Sequence, residues 1–105
     1  MSHDAFARLD ATIAARRGAA DATSWTAQLL AKGPEKCAEK FGEEAIEAII
    51  EAVRGDRDRL VAEAADAVYH LAVMLAARDL SLADVADELA RREGRSGIEE
   101  KAARG

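Results

Sequence analysis

The sequence is poor in the residues that would divert it from helix, with one proline, one cysteine and four aromatic residues in 105. A lone Cys37 forms no internal disulfide, which excludes a disulfide-stapled scaffold and fits a reducing compartment. Phe6, Trp25, Phe41 and Tyr69 are too scattered for a base-stacking platform. So few aromatics, set against about a quarter alanine, also disfavour strands. A basic patch is missing as well: 15 Lys and Arg are interspersed among 20 Asp and Glu, for a net charge of −5. Nucleic acid is therefore a poor partner. The longest weakly polar stretch, Val61 to Ala77, carries Glu63, Asp66 and His70 and falls short of a membrane span. The N-terminus, MSHDAFARLD, lacks the basic and apolar regions of a signal peptide. A cytoplasmic protein with neither membrane nor nucleic-acid partners is the expectation.

Half of the residues are hydrophobic and a third are charged, a balance that supports a packed core in one domain spanning residues 1–105. Phe6, Leu9 and Ile13 at helical spacing predict a first helix from Ala5 to Ala15. Ser24 caps a short helix, Trp25 to Lys32, and Gly33-Pro34 turns the corner into the next. The pattern then predicts a long helix from Pro34 to Arg54, a break at Gly55-Asp56, and a second long helix from about Asp58 to Arg78. Two long helices joined by a tight turn run antiparallel. Ser81 and Asp84 have capping-box spacing for a last helix, which reaches about Arg92 and closes at Gly94. The charged tail from Arg95 to Gly105 reads as either a frayed end or a substrate flap. The expected fold is an all-α antiparallel helix bundle. Two long helices and a few short ones cannot bury both faces of Val61 to Ala77 within one subunit, so dimerisation is expected to complete it.

The helix from Pro34 gathers Lys36, Lys40, Glu43, Glu44, Glu47 and Glu51 into one polar arc, opposite Phe41, Ala45, Ala48, Ile49, Ala52 and Val53. Alone, such an arc is an ordinary solvated face. The next helix changes the weighing, because Val61 to Ala77 is apolar nearly all round except for Glu63, Asp66 and His70 on one narrow stripe, and such a helix is expected to be buried. Ionised carboxylates there cost several kcal/mol each unless paired or bound to metal. With the turn at Gly55, Glu44 and Glu47 match the height of Glu63 and Asp66. Four converging carboxylates would take up protons unless a divalent cation neutralised them. An all-oxygen set suits Mg²⁺, with Mn²⁺ as a possible substitute, and disfavours zinc.

The run Glu43-Glu44-Ala45-Ile46-Glu47, followed by Glu63-Ala64-Ala65-Asp66, reads as EExxE then ExxD. It resembles the metal motif of the all-α nucleotide pyrophosphohydrolases of the MazG-like superfamily. KGPEKCAEKFGEEAIEAII, EAADAVYHLAVMLAARDLSLADV and the closing RREGRSGIEEKA resemble, within it, the phosphoribosyl-ATP pyrophosphatase family, from about Ser24 to the C-terminus. The resemblance implies Mg²⁺-dependent hydrolysis of phosphoribosyl-ATP to phosphoribosyl-AMP and pyrophosphate, the second step of histidine biosynthesis, by a MazG-like bundle. It makes Glu44, Glu47, Glu63 and Asp66 the metal ligands. For Glu43 it leaves three roles: orienting water, acting as a base, or standing by as a solvated neighbour.

Lys36 and Lys40 lie on the acidic arc and are candidates for substrate phosphates, although their spacing to nearby acids also makes routine i,i+3 and i,i+4 pairs. Arg91, Arg92, Arg95 and Lys101 are candidates for the remote phosphates, and basic residues in a last turn also suit the helix dipole. Gly42 marks either a close approach or an irregular turn. His70 is weighed as a hydrogen-bonded core or interface residue against a ligand, and Cys37 as a packed small hydrophobe. Two rivals remain: a house-cleaning pyrophosphatase acting on a free nucleoside triphosphate, and a helical dimerisation module whose acids are only surface.

Overall fold

The computed structural model describes residues 4–18, 24–94, 101 and 104. Five helices follow in order: α1 (Ala5–Arg16), α2 (Trp25–Lys32), α3 (Pro34–Arg54), α4 (Arg57–Ala76) and α5 (Leu82–Arg91). No strand occurs among the described residues. The punctuation acts as the sequence predicts. The Ser24 hydroxyl accepts from the Ala27 N–H at 3.1 Å, Pro34 opens α3, and Gly55 closes it at φ 82°, where a Cβ would strain the backbone. Asp56 then caps α4 by accepting from the Arg59 N–H at 3.1 Å.

α3 and α4 pack along their length as an antiparallel hairpin, and this pair is the frame of the molecule. α1 and α2 lie against it around a small core of Ile13, Leu29, Cys37, Ala72, Val73 and Ala76. α5 rests on α1. A carboxylate of α1 anchors it there: Asp10 accepts from the Leu82 and Ala83 N–H groups at 2.9 and 3.1 Å, satisfying two donors at the start of α5. The capping box of Ser81 and Asp84 satisfies others. α4 stops at Ala76, two residues before Arg78, where Asp79 turns into the left-handed region at φ 63° and pairs with Arg17.

One expectation of burial is corrected. The whole of Val61 to Ala77 was expected inside, yet Val61 is 70% exposed, and the buried residues of α4 are His70, Ala72, Val73 and Ala76. Val68, Tyr69, Leu71, Met74 and Leu75 are partly covered, and among the described residues Val61, Ala62 and Ala65 remain exposed. On α3 the inner face belongs to Cys37, Glu44, Ala48 and Glu51, whereas Ile46, Ile49, Ile50 and Val53 face outward, Val53 at 84% exposure. The polar arc is turned toward α4 and the apolar arc toward solvent. Among the described residues, no helix is long and apolar enough to cross a membrane.

Candidate metal centre

The seam between α3 and α4 brings together carboxylates that lie far apart in sequence. Glu44 of α3 and Glu63 and Asp66 of α4 each offer an oxygen, and the three oxygens lie within 4.8 Å of one another. Glu44 and Glu63 are half-buried, and Asp66 is exposed. The Glu63 carboxyl is pushed above the usual range, first by loss of water and then by the charges of Asp66, Glu47, Glu44 and Glu51. Glu47 is exposed and stands outside the close trio, although its charge still acts on Glu63. Glu43 is exposed and takes a contact of 3.4 Å from Lys40 Nζ.

Two buried polar atoms beside this seam have no partner: Glu51 Oε1 and His70 Nδ1. Glu51 is 5% exposed, and its other oxygen lies 3.7 Å from Arg54 Nη1 and 4.0 Å from Arg59 Nη1, distances of ion pairing without hydrogen bonds. Sequence reasoning placed Glu51 on a solvated arc and missed it as part of the site. The available signal was its spacing of seven from Glu44 and four from Glu47, which continues their stripe. His70 is 6% exposed and buried as expected, but no hydrogen bond satisfies its Nδ1. Burial pushes its pKa down; Glu44 opposes this more than any other neighbour does.

This donor set fits a small hard cation. The close oxygens are all carboxylate, and loss of water followed by the neighbouring charges lifts Glu63, the combination that a bound divalent cation would relieve. Buried orphan atoms at the same seam leave donor and acceptor capacity that the present side-chain positions do not use.

Four of the six basic candidates are held by carboxylates. Lys36 pairs with Glu39 at 3.1 Å, and Lys40 with Glu43. Arg91 grips Glu88 through Nε and Nη2 at 3.1 and 2.6 Å, while Arg92 Nε adds a third bond at 2.9 Å. The two guanidinium groups hold the Glu88 carboxyl down to about 2. Lys101 is exposed, and Arg95 lies outside the described residues. Gly42 sits in an unbroken helix, and none of the described residues lies within 4 Å of where its Cβ would be, so neither an irregular turn nor a neighbouring helix of this chain explains it. Cys37 is a packed residue as expected. Its Sγ donates to the Leu29 carbonyl at 3.3 Å, and burial pushes the thiol pKa up, away from nucleophilic use.

Residues 6–93 match the family model described as phosphoribosyl-ATP pyrophosphohydrolase. The chain is 76% identical over 97 residues to a phosphoribosyl-ATP pyrophosphatase of Paracoccus denitrificans, covering 92% of this chain and 90% of that protein. It is 74% identical over 98 residues to the one of Dinoroseobacter shibae, covering 93% and 96%. Against that of Ruegeria pomeroyi the identity is 73% over 96 residues, 91% of each chain.

Proposed function

The chain belongs to the phosphoribosyl-ATP pyrophosphohydrolase family, and from that premise we propose that it hydrolyses phosphoribosyl-ATP to phosphoribosyl-AMP and pyrophosphate, the second step of histidine biosynthesis. The observation that carries this reading is the convergence of Glu44, Glu63 and Asp66 at one seam. Water is added across the bond between the α and β phosphorus atoms, and pyrophosphate leaves. Mg²⁺, or Mn²⁺ in its place, supplies the positive charge that a triphosphate and a carboxylate cluster both need. Glu44, Glu63 and Asp66 hold it, and Glu47 joins them by a change of rotamer from its exposed position. Glu43, beside Lys40 on α3, orients the attacking water or takes its proton.

Substrate recognition falls to cations, of which Lys36, Lys40, Arg91 and Arg92 exchange a present carboxylate partner for phosphate. Lys36 and Lys40 serve the triphosphate as point charges. Arg91, Arg92, Arg95 and Lys101 serve the phosphoribosyl group. The outward face of Ile46, Ile49, Ile50 and Val53, with Val61 beside the turn, leaves large apolar side chains exposed along one stripe, the kind of surface that a protein partner covers. A second copy covers it, giving a homodimer in the cytoplasm.

The test is to incubate the protein with phosphoribosyl-ATP and Mg²⁺ while following pyrophosphate, with ATP and other free nucleoside triphosphates in parallel. Release from phosphoribosyl-ATP that stops on chelation is expected. Faster turnover of a free nucleoside triphosphate would move the protein to the house-cleaning reading.

A further inference from the structure

The sequence leaves His70 between a core residue and a ligand, and the structure gives it a third role. His70 follows Asp66 by four residues and Glu63 by seven, so the three share the stripe of α4 that faces α3. It is 94% buried, and its Nδ1 has no partner. A buried polar nitrogen left unsatisfied costs about 1–3 kcal/mol, and such atoms in folded proteins call for a reason. The ring is also held in place: it meets the Tyr69 ring edge to face at 4.8 Å, and the Tyr69 hydroxyl is tied to Thr26 Oγ1 of α2 at 2.5 Å.

We propose that His70 is a positioning residue of the metal centre, its imidazole donating a hydrogen bond across the seam to the Glu44 carboxylate and holding it in the ligating orientation once a cation is bound. This rests on the reading of Glu44, Glu63 and Asp66 as a metal site. The charges that act on His70 are those of Lys40, Glu43 and Glu44 on α3 and of Asp66 on its own helix. Glu44 is the half-buried carboxylate among these and acts on the imidazole most strongly of the acids, whereas Asp66 and Glu43 are exposed and solvated. One ring N–H is enough for this bond, and a neutral imidazole supplies it without adding a positive charge beside the cation. Partners that orient a metal ligand in this way typically contribute about 10–100-fold to metal affinity.

The experiment is Mn²⁺ titration of the intact protein by calorimetry without substrate, on wild type and on the His70→Phe, His70→Asn and His70→Gln variants, each checked by thermal melting. His70→Phe is expected to weaken Mn²⁺ binding about 10-fold. His70→Asn, whose amide stands where Nδ1 stood, should retain binding to within about 3-fold, and His70→Gln should not. In a Glu44→Gln background, His70→Phe should have no further effect on Mn²⁺ affinity. A purely structural histidine would lower the melting temperature and leave the Mn²⁺ affinity unchanged. That result, or equal losses with and without Glu44, overturns the role of His70 alone. If His70→Phe does not fold, wild-type affinity in both the Asn and Gln variants overturns it equally. Wild-type protein that takes up no Mn²⁺ overturns the metal reading and this one with it.

Discussion

The two faces of α3 are the reverse of an ordinary amphipathic helix. Its inward face carries Glu44 and the buried Glu51 toward α4, while its outward face shows Ile46, Ile49, Ile50 and Val53 to solvent. Neither arrangement is stable by itself: converging carboxylates repel, and a bare isoleucine stripe costs solvation. In the function we propose, each face is completed from outside the chain, the inner one by a cation and the outer one by a second copy.

Asp66→Asn and Glu44→Gln should have the largest effect, because each removes a ligand. Turnover of phosphoribosyl-ATP should fall by about 100-fold or more, measured as kcat. The metal-free fold should remain and melt no lower than wild type, since one repelling charge has gone with the ligand. An unfolded Asp66→Asn protein, beside a wild type indifferent to Mg²⁺, would make the inner face structural. Next in size is the outer face. Ile49→Asp combined with Val53→Asp places two charges in a stripe where each buried aliphatic side chain is worth roughly 1.5–3 kcal/mol. The dimer dissociation constant should rise by about 100-fold or more, read by sedimentation. A wild type that is already monomeric at micromolar concentration would break the symmetry between the two faces.

The sequence makes the helices legible to within a residue or two because their stops are local chemistry: Ser24, Pro34, Gly55-Asp56 and the Ser81 and Asp84 box act within one turn of chain. The carboxylate trio is legible for a related reason, since a tight turn fixes which heights of two antiparallel helices meet. How far the inward face of α3 extends is less legible: periodicity sets Glu51 on the stripe of Glu44 and Glu47 and is silent on its burial. Asp10 was equally hidden, because its cap on Leu82 joins residues 72 positions apart.

pH sharpens the view of the inner face with a smaller effect. The Glu63 carboxyl is raised above its ordinary value of 4.5 in the fold, so the folded protein holds more protons than the unfolded chain at pH values around that range. Metal-free protein should therefore gain stability as pH falls toward 4.5 and lose it as pH rises through the raised value. Glu63→Gln should flatten that dependence, and saturating Mg²⁺ should abolish it, both read as melting temperature against pH. A wild-type slope that survives in Glu63→Gln would place the titrating group elsewhere.

The smallest effect is expected at α5, where Glu88 binds both Arg91 and Arg92 and its carboxyl is held down to about 2. The sign is opposite to that of Glu63: the bond stabilises α5 above pH 4.5 and is lost as pH falls toward 2. Because these groups are largely solvent-accessible, Glu88→Gln should move the melting temperature at pH 7 by only about a degree. Its value lies in what it does to the arginines. If they are destined for the phosphoribosyl phosphate, substrate must first compete with Glu88 for them, and removing that carboxylate should lower KM for phosphoribosyl-ATP by about 2–3-fold without changing Mn²⁺ affinity. ATP lacks the phosphate they would reach, so its KM should not move. A KM that falls equally for both substrates would assign Arg91 and Arg92 to general electrostatics, and one unchanged for both would leave them as the clamp that closes α5.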